Sequence, residues 1–258
     1  MIAEEKSFLN YWRKYNHILL LSLQQMTAGK QIFATGALFL IKALVCNIIK
    51  DFRIEFRSKV VISLILSFSV MVTISIGFAS GGMIGSSMVH AILLWVIIFF
   101  SGMNTAHIFY REIEENTALF NLMYYNPEHI FISKLFVHCI IMMAVAVIVG
   151  LLYLFVMDVS VYNPLSFVIL LLAGSIALAV CTTIIAAITA IAQARGGLFT
   201  ILSFPITLPI ITVAIKSTTQ CFSKEIFSSF SAILFLLAFS TLLGVVSYIL
   251  FPYIWREF

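Results

Sequence analysis

The sequence predicts an all-α, polytopic membrane protein with six transmembrane helices and both termini in the cytoplasm. Three observations predict it. First, 62% of the 258 residues are hydrophobic and only 10% charged, with mean hydropathy +1.11, where a soluble domain carries about 25% charged residues. A chain this apolar cannot cover itself with polar surface and belongs in a bilayer. Second, six apolar runs, near 60–79, 88–109, 135–157, 166–193, 198–216 and 230–254, are each long enough to cross about 30 Å of hydrocarbon at 1.5 Å per residue. Third, threading those runs puts every Lys and Arg except Lys216 and Lys224 on one side, and that excess makes the side cytoplasmic.

The elements follow in order. Residues 1–44 form an amino-terminal extension of unclear role. Its apolar stretch "QIFATGALFLIKALVCNII" resembles a span, but Lys42 and Gly36 argue against a seventh crossing. "ILLLSL" is too short for a secretory signal, and no small-residue cleavage site follows it. Residues 45–59 read as an amphipathic juxtamembrane helix: Ile48, Ile49, Phe52 and Phe56 recur at helical spacing while Lys50, Asp51, Arg53, Arg57 and Lys59 take other faces. Contact with anionic lipid and contact with a protein partner are equally good readings of that helix. Residues 60–258 form the six-helix membrane domain. Its connections are short except for the cytoplasmic loop 110–134, and Arg195, Gly196 and Gly197 supply a tight turn between spans four and five, since glycine tolerates positive φ.

The fifth run carries Pro205 and Pro209 with Thr207 between them. Proline inside a helix removes a donor and frees the carbonyl one turn earlier. Prolines four apart share a face, so a bend is expected, with the Thr207 hydroxyl helping to satisfy the freed carbonyls of Ile201 and Pro205. Two readings stand: a bend that only shapes packing, or one that lines a cargo path or a subunit interface.

Several chemistries are missing from the sequence. There is no G-x-x-x-x-G-K-[ST], H-E-x-x-H or G-x-S-x-G, so no catalytic residue is assigned and the chain is not expected to be an enzyme. Cys46, Cys139, Cys181 and Cys221 have no metal or redox spacing, and the basic residues form no nucleic-acid footprint. No metal site and no tightly bound cofactor are expected. Between their end residues the six runs hold no Asp, Glu, Lys or Arg, whereas ion-coupled carriers keep ionisable groups there. If this chain moves anything, its energy comes from a partner. His90, His107 and His138 are candidates for ligating a haem iron through a ring nitrogen.

Two cytoplasmic segments suit docking of an energy-supplying partner. In the loop 110–134, Arg111, Glu112, Glu114 and Glu115 precede an apolar-aromatic stretch with Leu119 and Leu122, which ends at Pro127. Arg53 and Arg57 offer charges on the juxtamembrane helix. The competing reading of the loop is a solvated connection with interfacial tyrosines.

The segments "LLWVIIFFSGMNTAHIFYRE", "YYNPEHIFISKLF", "IKDFRIEFRSK" and above all "ARGGLFTILSFPITLPIITVAI" together resemble the CcmB family over about residues 45–258. Asn116 stands beside Thr117 where many relatives have glycine. The resemblance implies an ABC-2 type permease subunit of the haem exporter of cytochrome c maturation (system I), in the bacterial inner membrane. It further implies ATP hydrolysis by a CcmA-like subunit, CcmC-like and CcmD-like membrane partners, a CcmE-like periplasmic chaperone, and haem as cargo. Alternatives are an ABC-2 permease for a lipid, polysaccharide or drug, and a non-transporting scaffold of an assembly complex.

Overall fold

A computed structural model describes residue 42 and residues 44–53, 59–80, 85–103, 127–191, 197–223 and 230–255. Contacts divide the chain into Met1–Ala43 and Leu44–Phe258. Of the first unit only Lys42, helical and exposed, is described. The described residues of the second are all-α: α1 (44–53), α2 (Lys59–Ser80), α3 (Ser87–Met103), α4 (Pro127–Met157), α5 (Pro164–Ile191), α6 (Gly197–Phe222) and α7 (Phe230–Trp255).

Local signals set several ends. Pro127 and Pro164 open α4 and α5, the first helical position, where a missing N–H costs nothing and φ is already helical. The Ser86 carbonyl accepts from Val89 and His90 to start α3. Asp158, at φ 49°, ends α4 in the left-handed conformation of a helix stop. The next connection is pinned by the Tyr162 N–H, which donates to the Cys221 carbonyl at the end of α6.

Successive helices α2 to α7 run up and down. Phe131 near the start of α4 meets Phe251 near the end of α7, centroids 4.9 Å apart. Phe167 near the start of α5 meets Phe222 at the end of α6 at 5.5 Å. α5 is the central helix, packed on α4, α6 and α7 and touching α3. Its apolar window is 78% buried, against 17% for α7 on the outside. Ala173, Gly174, Ser175, Ala177, Ala179, Ala186 and Ala187 make this centrality possible, because small residues let helices approach closely in a membrane. Trp95 of α3 lies against Gly174, and its indole N–H reaches past α5 to the Thr218 hydroxyl of α6, 2.8 Å away.

Among the described residues, four helical stretches are long and apolar enough to cross a membrane, Pro127–Met157, Pro164–Thr189, Ile201–Phe222 and Phe230–Tyr253; Ser67–Ser80 and Ser87–Met103 are apolar but shorter. α4 starts earlier than the apolar pattern suggests. Its 31 residues make about 46 Å at 1.5 Å per residue, well beyond about 30 Å of hydrocarbon. The stretch 127–134, read as loop, is therefore helix, and Lys134 sits within α4 at 2% exposure. Lys216, taken as an end residue, is exposed within α6.

Candidate functional site

Two arrangements carry polar chemistry: a charged junction at the end of the bundle where α4 begins, and a seam of hydroxyls in its interior.

At the junction, α1 lies against α4. Ser133 donates its hydroxyl to Asp51 Oδ2 at 2.6 Å, and Lys50 Nζ is 3.3 Å from Asp51 Oδ1. Asp51 is buried, and a buried carboxylate persists only when paired and hydrogen-bonded. One turn earlier Asn47 is 1% exposed, and neither its Oδ1 nor its Nδ2 has a hydrogen-bond partner among the described residues. A buried polar group left unsatisfied costs about 1–3 kcal/mol. The outward face of α1 is apolar, with Val45, Ile49 and Phe52 exposed. Within the described part of the predicted juxtamembrane helix, Asp51 does not lie among the outer charges. Asn47 and Asp51, four apart and so on one face, turn inward, and the hydrophobic residues face out. On the far side of α4's first turn, Tyr248 of α7 donates to Glu128 Oε2 at 2.7 Å, beside a groove of about 310 Å³ lined by Ile249, Pro252 and Tyr253.

The interior seam joins helices through few bonds. His138 of α4 is buried, its Nδ1 2.7 Å from Thr183 Oγ1 of α5. Thr183 spends its single proton on the Ala179 carbonyl at 2.7 Å, so its oxygen accepts and His138 Nδ1 carries the hydrogen. His90 Nδ1 pairs with the Tyr153 hydroxyl at 3.0 Å. Tyr153 and His138 are both on α4, fifteen residues or about 23 Å apart along its axis. His90 and His138 therefore cannot grip one iron together. Among the described residues no group of three His, Cys, Asp or Glu side chains is placed to hold a metal ion.

α6 runs unbroken through Pro205 and Pro209, and both prolines are exposed on its outer face. Thr207 is buried on the opposite face and does not serve the freed carbonyls of Ile201 and Pro205. It donates instead to Ser203 O at 2.7 Å and Phe204 O at 3.2 Å, while Ser203 donates to Phe199 O at 2.7 Å. The reason is directional: a helical Thr reaches carbonyls three and four residues back, and position 207 lies out of reach of 201. Gly197, assigned to the turn, is the first residue of α6. Arg53 is exposed at the end of α1 and Pro127 is partly buried. Arg57, His107, Arg111, Glu112, Glu114, Glu115, Leu119, Leu122, Arg195 and Gly196 lie outside the described residues.

The profile of the CcmB family, described as CcmB protein, matches residues 42–254. The chain belongs to the CcmB family. A comparison with curated proteins finds no match. The CcmB match begins two residues before α1 and takes in the junction, the seam, α2 to α6 and all but the last residue of α7. Its start nearly coincides with the division at Ala43–Leu44. CcmB proteins are the permease component of the haem-exporting ABC system of cytochrome c maturation, so this is a membrane-embedded transport protein of that system. Sequence reasoning missed Asn47, Asp51, Ser133 and Thr183 as site residues. The i,i+4 pair Asn47 and Asp51 was visible, but in a membrane an inward polar face and an outward one look alike in sequence.

Proposed function

We propose that this chain is the six-span permease subunit of a haem-delivering ABC transporter in a bacterial inner membrane, with both termini cytoplasmic. A separate CcmA-like ATPase supplies the energy, and CcmC-like, CcmD-like and CcmE-like proteins receive or hold the cargo. The family match over residues 42–254 carries the reading. It is supported by the up-and-down order of six apolar helices and by the basic excess on the side where α4 begins. Segment 110–126, with Arg111, Glu112, Glu114 and Glu115, runs directly into Pro127, so closure of the ATPase would push on the start of α4. A 31-residue helix carries that push through the membrane as a rigid lever. Pro205 and Pro209, on the outer face of α6, face a neighbouring subunit or lipid rather than this chain's own interior.

The test is purification of the intact complex through this chain, with an inventory of its companions, a Soret scan and ATPase assays with and without haem. Co-purifying ATPase whose turnover responds to haem is expected. ATPase that ignores haem would point to another cargo, and a complex without ATPase would make the chain a scaffold.

A further inference from the structure

We propose that the Asn47–Asp51 face of α1 is a two-register latch on α4, with Asp51 as the positioning residue that ties the juxtamembrane helix to the helix receiving the ATPase push. The proposal rests on the permease reading above. In the register seen, the Ser133 hydroxyl donates to Asp51 Oδ2 and Lys50 stands beside the same carboxylate, while Asn47 is enclosed with both amide atoms unpaired among the described residues. By stability alone an apolar side chain would serve better at position 47, since removing an unsatisfied buried group relieves its desolvation penalty. The amide makes physical sense if a second arrangement gives it partners.

The spacing names that arrangement. Residues 47 and 51 are one turn apart on the same face, so sliding α1 one turn, about 5.4 Å, along α4 brings the residue-47 position opposite Ser133. A serine hydroxyl can donate to a carboxylate in one register and exchange hydrogen bonds with an amide in the other. One-turn ratchets of this kind are an established way for packed helices to hold two discrete states. Val45, Ile49 and Phe52 are exposed on the outer face of α1 in the register seen, and a slide along the helix axis without rotation would keep that face outward while exchanging the polar pairing. α1 leads within a few residues into α2, so the shift would move the first span relative to α4.

The test uses the purified complex and reads haem delivered per ATP hydrolysed, together with the thermal stability of this chain. N47L removes the orphaned amide and favours the observed register. It is expected to raise the melting temperature while lowering haem delivered per ATP by about tenfold, the change that a bias of about 1.4 kcal/mol toward one register produces. D51A releases the latch and should also uncouple, with lower stability. D51N, which keeps an acceptor for Ser133, and the exchange N47D/D51N should each retain most of the coupling. N47L with wild-type coupling, or an exchange variant as defective as D51A, would overturn the latch. A wild-type complex that contains no ATPase, or one whose ATPase ignores haem, would instead overturn the haem-permease reading, which the variants do not touch.

Discussion

Replacing Gly174 with alanine should be the most damaging single-methyl change in the core. A Cβ built there overlaps the Trp95 ring, with Cζ3 at 2.8 Å and Cζ2 at 3.1 Å and the ring's far carbon closer still. The ring cannot swing aside freely, because its N–H is held by Thr218 at 2.8 Å and Trp95 is fully buried. Either α3 and α5 separate, or the ring moves and the hydrogen bond is lost. Overpacking costs about 1–3 kcal/mol, and loss of a hydrogen bond adds about 0.5–1.5 kcal/mol. The helix preference for alanine over glycine returns at most about 1 kcal/mol. A net loss of about 2 kcal/mol follows, roughly a thirtyfold drop in the folded ratio.

The assay is reversible unfolding of the purified chain in mixed micelles, following tryptophan emission. Gly244→Ala is the control, since its Cβ would meet only Val180 Cγ1, at an ordinary 3.8 Å, and it should be neutral or slightly stabilising. Trp95→Phe should partly relieve Gly174→Ala, giving a non-additive double-mutant cycle. Equal effects of Gly174→Ala and Gly244→Ala, within about 0.5 kcal/mol, would refute the packing argument.

Other expectations concern the seam, the prolines and the coupling loop. Thr183→Val leaves buried His138 Nδ1–H without its acceptor and should cost about 1–3 kcal/mol in the same assay, whereas Thr183→Ser should cost much less. Pro205→Ala with Pro209→Ala removes no buried contact and restores two backbone donors, so the chain should unfold at higher detergent. Cytochrome c assembly in cells should nevertheless fall, and unchanged assembly would assign the prolines to packing alone. Charge reversal at Glu112, Glu114 and Glu115 should reduce co-purification of the ATPase, and undisturbed binding and haem delivery would remove that loop from the docking surface.

The helices were legible because composition and run length act over whole segments; α7, expected near 230–254, is Phe230–Trp255. Ends were harder to read where helix outruns hydrocarbon. The start of α4 was hidden by Glu128, His129 and Lys134, polar residues that end an apolar pattern without ending a helix. The kinds of site residue were legible, but their partners were not. His138 was visible as a buried-span histidine, yet its acceptor is 45 positions away, and pairings at that separation depend on how α4 and α5 dock. Thr207 was placed correctly within its helix and given the wrong carbonyls, because spacing alone does not say which way a hydroxyl turns.

Packing and hydrogen bonding single out different helices, and the difference bears on how force would travel. α5 is the packing centre, but Thr182, Thr183 and Thr189 all donate to carbonyls of their own helix. Of the three, Thr183 also ties α5 to a neighbour, because its oxygen accepts from His138 of α4. Among the described bonds between helices, Ser69 of α2 with Ser101 of α3 and Trp95 of α3 with Thr218 of α6 do not involve α4. Four others do: Asp51 of α1 with Ser133, His90 of α3 with Tyr153, Thr183 of α5 with His138, and Tyr248 of α7 with Glu128. These contacts are spread along its length from Glu128 to Tyr153, so displacement of its first turn is felt at both ends of the bundle. α5 is held mainly by the shape of its small-residue contacts, with the His138–Thr183 bond tying it to α4. Under the proposed coupling, a push delivered at Pro127 would enter the helix that carries these four bonds and move it against the closely packed α5, carrying Thr183 with it through His138.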